Sequence, residues 1–267
     1  MGGKKEMPSR KIVAIGGGQI FVPCKPPETL AIDEEIVRLA EIGKTHLRQQ
    51  NFLFVPTASD DDQMYCHGMY NVYEARLGCS FDQLSLIKDK LTDGEIKAKI
   101  DRADIIYVGG GCTALMMKVW RKHGVDKLLT EACDQGKVMC GLSAGAICWF
   151  QWGLSDSEKF TDPEGWKPSA VDGLGLIPVA VSPHWDSEGD WRKAAFPRFL
   201  REKNSPGLAL EDCCALVVVD DQARLISSQQ DKVGYTFLDT GEPGCSHKTR
   251  FNPAPLDNNW FPIDALC

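Results

Sequence analysis

The sequence has no long apolar run and no excess of basic charge. None of its 267 residues fall in a stretch that approaches the roughly 20 apolar residues of a membrane span. The first residues, MGGKKEMPSRK, lack the apolar centre of a signal peptide. Acidic residues outnumber basic ones by 37 to 30, giving a formal net charge of −7. This balance disfavours nucleic acid and anionic membranes as partners. We therefore expect a cytoplasmic protein that binds no nucleic acid and no membrane.

The cysteines also lack the close spacing of a metal site or a disulfide framework. There are 11 of them, scattered along the chain, and none form a CxxC pair. A secreted disulfide framework or a zinc site would show tighter grouping. The thiols are therefore expected to be reduced, and no metal site is expected.

Short apolar runs alternate with segments of helical periodicity along most of the chain. Examples of the runs are KIVAI at 11–15, NFLFV at 51–55 and DIIYV at 104–108. Continuous apolar strands separated by helices predict an α/β fold, in which helices cover both faces of a mainly parallel sheet. We expect one domain over 1–267, an apolar helix after residue 145, a hairpin around 220–223, and an irregular tail from about 241.

Three glycine-marked bends lie at predicted strand ends, at residues 16–18, 109–111 and 141–145. Ligands of open α/β sheets bind at the carboxyl ends of the strands. The bend at 109–111 has neither GxGxxG nor GK[ST] spacing, which disfavours a phosphate site. It is better suited to bringing a backbone N–H close to a substrate.

Ser143 lies in the third bend, GLSAG, which has the G-x-S-x-G form. A sharp strand-to-helix turn would expose the hydroxyl and would place the N–H of Ala144 where an oxyanion could sit. A plain structural turn is the alternative. A serine nucleophile needs a base. Among the five histidines, His184 follows an apolar strand and Pro183, which would bring it to the same sheet edge as Ser143; a capping or surface histidine is the alternative.

The residues alone do not identify the carboxylate that would orient the histidine. Asp156 and Glu158 follow Ser143 in the segment GLSDSE, and Asp186 lies two residues after His184. Each of them could equally be a surface acid or a helix cap.

Three ordered motifs, GLSAGA at 141–146, GGGCT at 109–113 and the Pro183-His184 pair, resemble those of peptidase family S51. This dipeptidase E and cyanophycinase family has the class I glutamine amidotransferase-like fold, a three-layer α/β/α sandwich. The resemblance covers roughly residues 11–219. It implies Ser143 as nucleophile, His184 as base, and an acid that matches Asp156, with Glu158 at the ungapped position.

The same resemblance implies an oxyanion hole formed by backbone N–H groups near Gly110 and Gly111 and at Ala144. It implies a serine peptidase that cleaves dipeptides or small peptides without a cofactor. The sequence lacks dipeptidase E's Thr-Asn-Asp-Met-Pro segment, so strict specificity for an N-terminal aspartate is not implied. Alternatives are a cyanophycinase-like hydrolase or an esterase on the same scaffold, or a non-catalytic small-ligand-binding relic. A homodimer is an open alternative to a monomer.

Overall fold

The computed structural model describes residues 9–20, 25–42, 48–239, 246–251 and 259–266. Within these ranges, no helix is long and apolar enough to cross a bilayer. The strands are β1 Lys11–Ile15, β2 Asn51–Val55, β3 Ser80–Gln83, β4 Ile105–Val108, β5 Val138–Leu142, β6 Phe150–Ser155, β7 Ser169–Asp172, β8 Ile177–Ser182, β9 Gly207–Leu210, β10 Cys214–Val219, β11 Gln222–Ser227, β12 Gly234–Asp239, β13 Ser246–Phe251 and β14 Phe261–Pro262. The α-helices are α1 Leu30–Glu41, α2 Gln63–Tyr70, α3 Asp93–Arg102, α4 Thr113–His123, α5 Val125–Asp134, α6 Ala144–Ile147 and α7 Asp190–Lys203.

The larger sheet has eight strands in the order β14-β11-β10-β1-β5-β4-β2-β3. Neighbouring strands from β1 to β3 pair in parallel, whereas β10 pairs with β1 antiparallel. The side chains of β1 alternate between two buried clusters: Val13 and Ile15 pack with α1 and α2, while Ile12 and Ala14 pack with the α3–α5 layer. Burial on both faces explains why this strand reads as a continuous apolar run. The mixed α/β fold with helices on both sides of a central sheet is thus confirmed.

A second sheet of six strands, in the order β13-β12-β9-β8-β6-β7, was not expected. It mixes parallel and antiparallel pairs, and α7 packs on one of its faces through Phe196 and Leu200. The chain returns to the larger sheet between β9 and β10, through Glu211, Asp212 and Cys213. The two sheets therefore meet next to the end of β1, where Gly16 N–H donates to the Cys214 carbonyl (2.8 Å).

Two expectations differ from the structure. The apolar helix expected after residue 145 is the four-residue α6, and the chain then enters β6. The expected irregular tail contains the strand β13, paired antiparallel with β12, and the short strand β14. The expected hairpin is present as β10 and β11.

Candidate active site

Ser143 occupies a strained turn between β5 and α6. Its φ of 59° and ψ of −112° are unusual for a residue with a side chain. The flanking glycines make this turn possible, because a Cβ on Gly145 would lie 2.0 Å from the Val108 carbonyl oxygen and one on Gly141 would lie 2.4 Å from the Gly145 carbonyl oxygen. The G-x-S-x-G spacing thus lets the bend pack against the end of β4. Backbone strain of this kind is concentrated at functional residues.

Three consecutive carbonyl oxygens at the end of β1 hold three distant segments together. Each accepts a backbone N–H from one segment of the site. The pairs are Ile15 with Ser143 (3.1 Å), Gly16 with His184 (3.0 Å) and Gly17 with Cys213 (2.9 Å). The bend at 16–18, the first of the three glycine-marked strand ends, therefore aligns the serine, the histidine and the residue after Asp212.

His184 has a carboxylate partner, and that partner is Asp212. The Nδ1 atom of His184 lies 2.7 Å from Oδ1 of Asp212, and the two side chains are 15% and 23% exposed. Burial alone would raise the pKa of Asp212, but the hydrogen bond and charge of His184, with help from Ser187 and Lys232, hold it below its ordinary value. Asp212 is thus an ionised acceptor that fixes the proton of His184 on Nδ1.

This contact corrects the expectation that Asp156 or Glu158 orients the histidine. Glu158 is exposed, and its Oε2 accepts the N–H of Lys167 at 3.1 Å. The serines on either side of Asp156 turn toward α4: Ser157 Oγ accepts the Ala114 N–H (3.0 Å) and bonds Ser155 Oγ (2.7 Å). Residues 155–157 therefore cap the start of α4, and within the described part of the chain they form no hydrogen bond or ion pair with His184.

Asp186 was a further candidate for the acid that orients His184, but in the structure it binds the backbone of Asp212. Its Oδ1 accepts the backbone N–H of Asp212 at 2.9 Å, and its Oδ2 forms an ion pair with Lys232. Asp186 thus holds the backbone of Asp212, and among the described residues its side chain has no hydrogen bond to the imidazole.

Asp212 was missed because its position depends on strand direction. It lies two residues before β10. If β10 ran parallel to the other strands, its beginning would lie at the edge opposite to the carboxyl ends, far from Ser143 and His184. Since β10 runs antiparallel to β1, its start reaches the edge where β1 ends. The sequence contained one indication of antiparallel strands, the predicted hairpin around 220–223, which β10 and β11 form in the structure.

A second carboxylate lies near the other nitrogen of the imidazole. Glu188 Oε1 is 3.8 Å from Nε2 of His184, beyond hydrogen-bond distance. Glu188 Oε2 accepts a 2.9 Å bond from Nε of Arg192, whose side chain is almost fully buried over the Trp191 ring. The negative charge of Glu188 is therefore partly balanced and fixed in place. Sequence reasoning gave no sign of this pair.

The glycine bend at 109–111 lies beside the serine. A Cβ on Gly110 would be 3.4 Å from the Cβ of Ser143, and Gly111 has a φ of +137° that suits glycine. The N–H of Gly110 donates to the hydroxyl of Tyr65 at 3.3 Å. Among the described residues, the N–H groups of Gly111 and Ala144 have no hydrogen-bond acceptor. Of the three expected oxyanion donors, Gly110 is thus engaged by Tyr65.

The described residues contain no group of three or more histidine, cysteine, aspartate and glutamate side chains arranged to hold a metal ion. The chemistry that the side chains themselves offer is that of a serine, a histidine and a carboxylate at one sheet junction.

Known proteins resemble this chain in sequence and in fold. The sequence profile of Peptidase family S51 matches residues 25–226. The chain belongs to peptidase family S51. It is 32% identical over 230 residues to the uncharacterized peptidase YgaJ of Bacillus subtilis, in an alignment that covers 86% of this chain and 92% of YgaJ. It is 25% identical over 227 residues to peptidase E of Shewanella denitrificans, covering 78% and 92% of the two chains.

The fold of this S51 peptidase is also found in a solved structure. A peptidase from an acI-B1 Actinobacterium superposes with a TM-score of 0.64 at 17% identity, and the match covers 91% of this chain and 94% of the other. This likeness confirms the fold. The more distant class I glutamine amidotransferase relationship stays an expectation.

Proposed function

We propose that the chain is a serine peptidase that hydrolyses dipeptides or other small peptides through an acyl-enzyme. The observation that carries this proposal is the 2.7 Å contact between His184 Nδ1 and Asp212 Oδ1, next to the strained turn of Ser143. A serine, a histidine and an ionised carboxylate in this order form the constellation of a catalytic triad. The proposed triad is Ser143, His184 and Asp212.

The proton transfers follow from the tautomer. Because Asp212 holds the proton of His184 on Nδ1, Nε2 is the nitrogen that can accept the hydroxyl proton of Ser143. The freed oxygen attacks the scissile carbonyl carbon, and Asp212 stabilises the imidazolium that forms. His184 then gives its proton to the leaving amine. A water molecule, activated by the same nitrogen, releases the acyl group from Ser143.

The oxyanion of the tetrahedral intermediate would be held by backbone donors. Ala144 N–H lies at the first position of α6, directly after the nucleophile, and Gly111 N–H comes from the neighbouring bend. Neither group has an acceptor within the described residues, so no hydrogen bond there has to break before they bind an oxyanion. Donors that are already in place stabilise charge as it develops, which supports their proposed role.

We assign the reaction to the cytoplasm and to small peptides. All eight cysteines that the structure describes are free and buried, which suits a reducing compartment. Loops from both sheets converge around His184 and Asp212, a setting that favours a short peptide over a folded protein. Water is the only co-reactant in the scheme.

A serine-directed fluorophosphonate probe tests the nucleophile. It should label the wild-type protein and leave Ser143→Ala unlabelled, while both proteins keep the same circular dichroism spectrum. Absence of labelling in the wild type would favour a non-catalytic ligand-binding protein.

A substrate panel then tests the peptidase assignment. Dipeptides, a β-aspartyl-arginine polymer and a simple ester are offered to the wild type and to Ser143→Ala. We expect hydrolysis of dipeptides by the wild type alone. Hydrolysis of only the polymer or only the ester would replace the dipeptidase assignment by the cyanophycinase-like or esterase one.

A further inference from the structure

A cavity of about 730 Å³ lies beside the candidate active site. We call it the α2 cavity. Its walls are residues 18–20 from the loop after β1, Ser59 from the loop after β2, and residues 62–65 with His67 from the start of α2. Its volume is within the roughly 300–1,000 Å³ typical of small-molecule sites. Both contributing loops follow parallel strands at the edge where ligands of such sheets bind.

Two residues of the cavity wall lead directly to the proposed catalytic groups. On one side, Gly18 follows Gly17, whose backbone packs so closely on the triad that an added Cβ would lie 1.9 Å from Asp212 Oδ1. On the other side, the Tyr65 hydroxyl accepts the N–H of Gly110, which adjoins Ser143. A peptide whose scissile bond lies at Ser143 would therefore have this cavity within reach of a neighbouring side chain.

The walls of the α2 cavity offer mainly apolar contacts. Met64 is 84% exposed, the most exposed large apolar residue among those described, and Ile20 and the ring of Tyr65 add further apolar surface. An unbranched thioether adapts to differently shaped apolar groups. The carboxylate of Asp62 is already used to cap α2, where it accepts the N–H groups of Met64 and Tyr65.

The charges around the cavity argue against an acidic occupant. Among the described residues that line it, none is lysine or arginine. A substrate carboxylate placed here would lose hydration, with His67 as the one basic side chain in the described wall and the carboxylate of Asp62 beside it, which is unfavourable. A large apolar or aromatic group would instead bury its own surface and that of Met64.

We propose that the α2 cavity binds a large apolar or aromatic side chain of a peptide substrate, next to the bond that is cleaved. This specificity rests on the proposed function, because it assigns the cavity to the same substrate. It makes Met64 a specificity-determining residue and predicts a preference for phenylalanine over alanine or aspartate.

The test compares Phe-Ala and Ala-Phe with Ala-Ala and Asp-Ala. For the wild type, kcat/KM for the better phenylalanine peptide should exceed that for Ala-Ala by about tenfold or more, the change expected for burying an aromatic ring. Met64→Glu should remove most of this preference and Met64→Leu should retain it. Phe160→Glu, at an exposed apolar residue outside the cavity, is the matched control and should keep the wild-type ratio. An equal ratio in wild type and Met64→Glu, or a preference for Asp-Ala, would overturn the proposal.

Binding to the inactive Ser143→Ala protein separates this proposal from the catalytic one. Calorimetry should show tighter binding of the phenylalanine peptide than of Ala-Ala, and Met64→Glu in the same background should abolish the difference. If this pattern is found in a protein whose wild type hydrolyses no peptide, the cavity assignment stands and the proposed function fails. If Ser143→Ala binds both peptides equally, the cavity assignment fails whatever the wild type hydrolyses.

Discussion

The Oδ1 atom of Asp186 accepts the backbone N–H of Asp212 at 2.9 Å, so one acid holds the main chain of the other. The ion pair with Lys232 fixes Asp186 in turn, and the neighbouring carboxylate raises the pKa of this lysine. Loops from three parts of the chain therefore converge on the carboxylate that contacts His184.

Replacing Asp186 should weaken catalysis without removing any triad member. Asp186→Ala loses the acceptor for the Asp212 N–H, and we expect kcat to fall about tenfold, because a hydrogen bond to a charged group contributes roughly 1.5–3 kcal/mol. Asp186→Asn keeps an oxygen acceptor and should recover most of kcat. The control is Asp190→Ala, whose side chain is 99% exposed. A change in KM alone, or equal losses in the alanine and asparagine variants, would contradict a positioning role.

Asp212→Asn should be far more damaging. An amide in place of the carboxylate can stabilise the wrong tautomer of His184 and provides no charge for the imidazolium, so kcat should fall on the order of 10³–10⁴-fold. Asp156→Asn and Glu158→Gln, measured in parallel under saturating peptide, should change kcat by no more than about twofold, in line with surface substitutions. A loss in either of these as large as that of Asp212→Asn would restore the acid expected from the sequence.

Gly17→Ala tests the close approach of the bend at 16–18, directly after β1, to the proposed triad. Its Cβ would lie 1.9 Å from Asp212 Oδ1 and 2.4 Å from His184 Nδ1, so the pair must move apart. We expect kcat to fall about 100-fold, as follows from displacing catalytic groups by an ångström. Gly94→Ala in α3, where an added Cβ has nothing within 4 Å, is the matched control. The melting temperature of each variant, measured by differential scanning calorimetry, shows whether activity is lost through unfolding; wild-type activity in Gly17→Ala would contradict the packing.

A buried carboxyl away from the site should make stability depend on pH. Asp33 in α1 accepts hydrogen bonds from Thr29 Oγ1 (2.8 Å) and the Tyr73 hydroxyl (2.7 Å), and burial raises its pKa to about 7. In the unfolded chain an aspartate carboxyl has a pKa of about 3.9. Between these values the folded state binds more protons than the unfolded state, so the free energy of unfolding decreases as pH rises and levels off above about 7.

Asp33→Asn removes that titration. Urea unfolding at about pH 5 and about pH 8 should therefore show the variant gaining stability relative to the wild type at the higher pH. Asp190→Asn, at an exposed position, should keep the wild-type dependence. The same stability difference between wild type and Asp33→Asn at both pH values would mean that Asp33 does not titrate in this range.

The features predicted correctly from the sequence were those encoded locally. β1 and β4 read as continuous apolar runs because both of their faces are buried, and the turn at Ser143 is marked by glycines whose missing side chains are needed there. The second sheet was not predicted, because the apolar run around Trp149 and Phe150 fits a buried helix as well as a strand. The partner of His184 was not predicted because it depends on the antiparallel pairing of β10 with β1, a contact between residues about 200 positions apart in sequence.

The three carbonyl groups at the end of β1 have a consequence for biosynthesis. They hold the end of an early strand to Ser143, His184 and Cys213. Because a chain is synthesised from its N-terminus, Cys213 and the neighbouring Asp212 are made later than β1, Ser143 and His184. A growing chain that stops before residue 212 carries the serine and the histidine but lacks the carboxylate. Activity that depends on the proposed triad should therefore return during refolding only once β10 has paired with β1.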